Sequence, residues 1–138
     1  MDTRTLTEVS LAVHEGRMSF PEVVRHLLAA GVESYRVDFA ARRKTFLSVD
    51  GDVVELPLDF ESLPAISPEL DVPALRANLL DSQQRGQKYR DFVHRAMDGG
   101  VLGYIAFLRG QRVLYWGRCG NQHIEWFPGA MQEREQAL

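Results

Sequence analysis

The chain has a single cysteine, Cys119, among 138 residues. No internal disulfide can form, which excludes a disulfide-stapled secreted scaffold and suits a reducing compartment. Long apolar runs are missing too: nothing approaches the roughly 20 consecutive apolar residues of a membrane-crossing helix. The opening stretch MDTRTLTEVSLAVHEG carries an acid at Asp2 and lacks the basic-then-apolar pattern of a secretion signal. A soluble cytoplasmic protein with no membrane partner is the expectation. Dense positive charge is the third absence. Net charge is −3, with 7 Lys and Arg against 12 Asp and Glu in residues 1–69, and 9 against 7 in residues 70–138. The tightest basic cluster is Arg42, Arg43 and Lys44 beside a turn, too little for the basic stripe of a nucleic-acid binder, so no nucleic-acid partner is expected.

What is present is the ordinary balance of a globular chain, 45% hydrophobic and 25% charged. That length can bury well over half of the surface its unfolded form exposes, enough for one real core. The chain also says one thing twice. VVRHLLAAGVESY (Val23–Tyr35) is echoed by FVHRAMDGGVLGY (Phe92–Tyr104), and the offset of 69 positions also matches Leu6 with Leu75, Gly31 with Gly100, Arg43 with Arg112 and Gly51 with Gly120.

Unlike pairs keep their physical role. Phe20, Val23, Val24, Leu27 and Leu28 follow the spacing of an amphipathic helix, as do Tyr89, Phe92, Val93, Ala96 and Met97. Gly31 and Gly100 should end these helices. Ser19 with Glu22 forms a capping box around Pro21, whereas Lys88–Asp91 has none. Leu6, Val9 and Val13 predict an earlier helix ending near Gly16, and a third helix opens near Asp71 and Pro73. Alternation at Tyr35, Val37 and Phe39, then RKTFLSV, the Asp50-Gly51 turn and DVVEL, predicts three strands. LGYIAFL, RVLYWG and QHIEWF predict three more, with a one-residue slip setting Val54–Leu56 against Ile124–Trp126.

The expected fold is therefore α+β, two ααβββ repeats packed as one pseudo-twofold body with helices covering antiparallel sheet. One domain spans 1–138: repeat 1 about 3–57, a proline-marked connector 58–72, repeat 2 about 73–128 and a polar tail 129–138 that frays or forms a short helix. Neither half of about 69 residues should stand alone.

GVESYRVDFAARRKTFLSVDG together with GVLGYIAFLRGQRVLYWGRCGNQHIEWFP resembles the YbcV-like family of bacterial and phage-associated domains of unknown function, over nearly the whole chain. The resemblance implies a small, soluble, intracellular bacterial protein with a phage-related label. It supplies no catalytic residue.

Positions where the two halves differ in chemistry are the places to look for function: Trp116 against Leu47, Cys119 against Asp50, His123 against Val54, and Trp126 against Leu56 after the slip. His123 and Glu125 lie two apart on a strand and leave the same face, as an oriented acid–base pair would. The plainer reading is a solvated strand face. Cys119 and His123 have C-x-x-x-H spacing, but zinc would need four ligands, and His14, His26 and His94 sit on helical segments, so no metal is expected. A Cys119 nucleophile activated by His123 is the lesser catalytic option. GGVLG (Gly99–Gly103) follows a helix and precedes a strand, the reverse of a phosphate-cradling loop, and no cofactor is expected.

Tyr104, Arg112, Trp116 and Trp126 are the candidate ligand-binding set, on condition that an exposed face gathers them. Three functions follow. The first is a non-enzymatic binding or regulatory module, for a small molecule or protein partner, possible as a homodimer. The alternative is a small hydrolase-like enzyme using His123 and Glu125. The third is a phage-related structural protein.

Overall fold

The computed structural model describes residues 1–130; the predicted polar tail beyond Ala130 lies outside the described residues. The elements are α1 (Thr3–His14), α2 (Phe20–Ala29), β1 (Val32–Asp38), β2 (Arg43–Ser48), β3 (Val53–Pro57), α3 (Val72–Gln84), α4 (Tyr89–Asp98), β4 (Val101–Phe107), β5 (Arg112–Gly117) and β6 (Gln122–Trp126). The order ααβββ thus occurs twice. All six strands join one antiparallel sheet in the order β3-β2-β1-β4-β5-β6. Among the described residues no helix is long and apolar enough to cross a membrane.

Local chemistry sets the helix ends. The Asp2 carboxylate accepts from the Arg4 N–H at the start of α1, and Asp71 accepts from Ala74 at the start of α3. Ser19 and Glu22 close the capping box of α2 around Pro21. At α4, Lys88 provides no side-chain cap. Gln87, just upstream, instead bonds the Asn78 side chain at 2.8 Å and Arg95 at 2.7 Å, tying the uncapped end to α3 and to its own last turn. Gly31 and Gly100 follow their helices with φ of 86° and 85°.

The sheet is built around the β1–β4 pair. Tyr35 faces Ala106, Val37 faces Tyr104, and Arg36 faces Ile105. Positions 69 apart exchange roles across this pair, so its register maps onto itself. A bulge at Val32/Ser34 lets Val32 and Tyr35, three apart, both face inward, and another at Val101/Gly103 does the same for Val101 and Tyr104. The inner face of the strands meets Leu6, Val9, Val23, Leu27, Leu75, Phe92 and Val93 from all four helices in one core. Two members of the predicted stripe on α2, Phe20 and Leu28, lie at the margin of the core at 40% and 42% exposure, and the Phe20 ring packs edge-on against Phe127.

The connector belongs to the core too. Leu58 and Phe60 are buried, and the Phe60 ring stacks on His14 at 4.4 Å. Further along, the Ser67 hydroxyl donates to the Asp98 carbonyl at 2.6 Å and the Asp71 N–H to Gly99. The chain passes so close to Gly100 that any side chain there would collide with the Glu69 carbonyl.

The expected one-residue slip does not occur. Phe46 pairs Val54 and Tyr115 pairs His123, so the constant offset continues to the last strand. Trp126 therefore corresponds to Pro57 and not to Leu56. The slip matched VEL with IEW by composition, whereas the register of a hairpin is fixed by its turn, and the turns at Gly51 and Gly120 are of equal length.

Candidate functional site

Strand register divides the sequence candidates between the two faces of the sheet. On the inner face one row runs Leu56, Lys44, Val37, Tyr104, Tyr115, His123. Tyr104 is a core residue: its hydroxyl shares a hydrogen bond with that of Tyr89 at 2.5 Å. It therefore does not join Arg112, Trp116 and Trp126, which stand on the outer face. Burial pushes the hydroxyls of Tyr35, Tyr89, Tyr104 and Tyr115 above the ordinary phenol range. The Glu125 charge adds to the rise at Tyr115.

His123 and Glu125 face the helices and not open solvent. Their side chains are 18% and 35% exposed, and His123 Nε2 lies 2.9 Å from Glu125 Oε2. Glu125 also lines a cleft of about 250 Å³ with Arg76, Ala77, Leu79, Leu80 and Gln83 of α3. The pair can orient an imidazole for proton transfer. A third reacting group is not assembled beside it: Tyr115 is the cross-strand neighbour of His123, but its buried hydroxyl makes no hydrogen bond among the described residues. Cys119 is not part of this arrangement. Exposed in the β5–β6 turn, its thiol donates to the Pro68 carbonyl at 3.4 Å. Among the described residues no group of three or more His, Cys, Asp and Glu side chains could hold a metal ion.

On the outer face Arg112, Trp116 and Trp126 come together with Ile105, Phe107, Leu114 and Ile124. The Arg112 guanidinium sits over the Trp126 ring at 4.9 Å. Trp116 faces Gly103 across the β4–β5 pair, and its indole fills the space a side chain would take: a carbon on Gly103 would lie 2.6 Å from the ring. The first half of the same face carries Arg36, Asp38, Arg43, Thr45 and Glu55, with an Arg43–Glu55 ion pair at 3.5 Å. One half of the sheet thus offers an aromatic and aliphatic surface, the other a charged one. Among the described residues no helix covers either.

Sequence reasoning missed Lys44. It lies among the buried residues at 8% exposure, its Nζ 5.7 Å from the Tyr89 ring centroid, with no hydrogen bond or ion pair among the described residues. Burial lowers its pKa to about 8. Counting it with Arg42 and Arg43 as a basic cluster hid the period-two signal, since Lys44 is in phase with the inward Phe46 and Ser48. Asn78 was missed as well; fully buried on α3, it donates to the Phe92 carbonyl at 3.0 Å.

Neither a scan against protein-family models nor a search of curated proteins gave a match for this chain.

Proposed function

We propose that this protein is a non-enzymatic binding module whose uncovered sheet face receives a small planar ligand or an apolar partner surface. The observation that carries the reading is the stacked Arg112–Trp126 pair beside Trp116 on a face that no helix among the described residues covers. An aromatic floor with a fixed cation at its rim suits a planar anion, and rigid aromatic anchors with Arg are the residues that dominate interface energetics. The quoted strand motifs support affiliation with YbcV-like proteins and a phage link, and the single cysteine supports a cytoplasmic location.

The chain contains two tryptophans, both on this face, so intrinsic fluorescence reads it directly. Titration with a planar aromatic anion such as 1-naphthoate should give saturable quenching, weakened by Arg112→Ala and by Trp126→Ala. Linear, non-saturating quenching in the native protein, or equal affinity in the Arg112→Ala variant, rejects the reading.

A second reading is a small hydrolase-like enzyme. It is favoured by the formed His123–Glu125 contact and the cleft that Glu125 lines. Activity on an activated ester such as p-nitrophenyl acetate should then vanish in His123→Ala. Equal rates in both proteins count it out.

A further inference from the structure

The sheet ends in two strands whose outer edges pair with nothing among the described residues, β3 and β6. An unpaired edge is a template for another strand unless something blocks it. The two edges differ in this respect. At β3 the central residue is Glu55, and Pro57 at its end has no N–H to give. A twofold antiparallel pairing of β3 with a second β3 would set Glu55 directly opposite Glu55, a like-charge pair that destabilises the ladder.

At β6 the corresponding central residue is Ile124, 46% exposed. This strand has no proline, no lysine and no bulge. A twofold antiparallel pairing about Ile124 would set Ile124 against Ile124, Gln122 against Trp126, and His123 of each copy against Glu125 of the other. The two apolar residues meet on the outer face, while on the inner face each imidazole meets a carboxylate. Every cross-strand pair is favourable or neutral, and the ladder adds about four to six main-chain hydrogen bonds. Leu80 of α3, 49% exposed, lies at the cleft beside Glu125 and adds apolar surface on the same side.

We propose that the edge of β6 is a self-association surface, through which two copies of this chain join antiparallel to form one continuous sheet. Symmetry favours this over the mixed alternative. A β6–β6 joint uses one patch twice and closes as a dimer, whereas β3 joined to β6 is head-to-tail and would grow without closing. The proposal does not depend on the outer-face binding reading: the ladder uses the main chain of β6, and the Trp116–Arg112 surface stays open.

Sedimentation velocity on the full chain, from about 1 to about 200 μM, tests it, since a short edge interface is small and falls in the weak range. The expected result is a monomer–dimer equilibrium within that span. Ile124→Lys, at an exposed position, should weaken association at least about tenfold. Val53→Lys on the opposite edge should leave it unchanged. Glu125→Lys should weaken it similarly, and adding His123→Glu should restore it to within about threefold, because the reciprocal pairs regain opposite charge. This reciprocal pair keeps the test sharp should Ile124→Lys fail to fold. A native protein that stays monomeric throughout, an Ile124→Lys protein that dimerises as well as the native one, or equal weakening by Val53→Lys overturns the proposal.

Discussion

Lys44 should make this protein more stable as the solution turns alkaline, until its buried tyrosines reverse the trend. In the folded chain the ammonium is buried and its pKa lies at about 8, against an unperturbed value of 10.5. The unfolded state therefore holds the proton more tightly. Below pH 8 the penalty is complete, about 3 kcal/mol from the difference between the two values, and it fades as pH rises towards 10.5. Between pH 7 and 9.5 its relief amounts to about 2 kcal/mol. The four buried tyrosines act oppositely: their raised values mean that near pH 10 only the unfolded state ionises, and up to pH 9.5 together they offset less than half of that relief. The native protein should thus gain about 1 kcal/mol between these pH values, then lose stability steeply above pH 10. Lys44→Met fills the same space without a charge. It should be more stable than the native protein at pH 7 by about 1 to 3 kcal/mol and should lose stability steadily on going alkaline. Urea unfolding of both proteins at pH 7 and 9.5 measures this. Parallel pH dependences would refute the argument, for they would mean that the ammonium has a partner or water in the folded state.

Three further expectations follow from close packing. Gly100→Ala places a carbon against the Glu69 carbonyl at positive φ and should cost at least about 2 kcal/mol, whereas Gly31→Ala, at the matching position with open space around it, should cost about 1 kcal/mol, as read from urea midpoints. Asn78→Leu removes the bond to the Phe92 carbonyl and leaves the Gln87 amide short of one acceptor, for a loss of about 1 to 3 kcal/mol in thermal unfolding. Gly103→Ala sets a carbon against both the Val37 carbonyl and the Trp116 indole, so it should cost at least about 2 kcal/mol in urea unfolding and displace the indole outward, red-shifting tryptophan emission; native-like stability and emission together would refute this packing.

Most of the fold was legible because it is written in local patterns. The Ser19–Glu22 box, the glycines at 31 and 100, the Asp50-Gly51 turn and the alternation of the strands each act over a few residues, and each sits where the sequence put it. The site was legible only in part, because its grouping depends on register. Tyr104 and Trp116 both read as strand aromatics, and only the β4–β5 hairpin register, which sets Tyr104 against Tyr115 and Trp116 against Gly103, decides that one is core and the other surface. His123 and Glu125 read most plainly as a solvated pair, because two polar side chains on one strand face ordinarily meet water; the strand does the reverse, with Ile124 outside. The connector hid its role for another reason. Its prolines mark irregular backbone, and nothing local shows that Leu58 and Phe60 plug the core.

That inversion at the last strand ties the observations together. Along β3 the residues facing the helices are Val54 and Leu56, as an edge strand with one covered face requires. Along β6 the same two places hold His123 and Glu125, while the outer central place holds Ile124 instead of Glu55. Polarity has been exchanged between the faces of one strand, at a register the rest of the sheet holds fixed. For stability alone the exchange is unfavourable: it puts two polar side chains beside the core and leaves an aliphatic one in water. A paired edge removes both costs together, because a second β6 would cover Ile124 and bring each imidazole a second carboxylate. A lone dyad serving catalysis would explain His123 and Glu125 but leave Ile124 without a reason. The double variant Ile124→Glu, Glu125→Leu, which restores two of the three β3 places to β6, separates the two accounts. It should raise the stability of the monomer while abolishing self-association, and a variant that is less stable at concentrations where the native chain is monomeric would show that the exchanged polarity serves the fold itself.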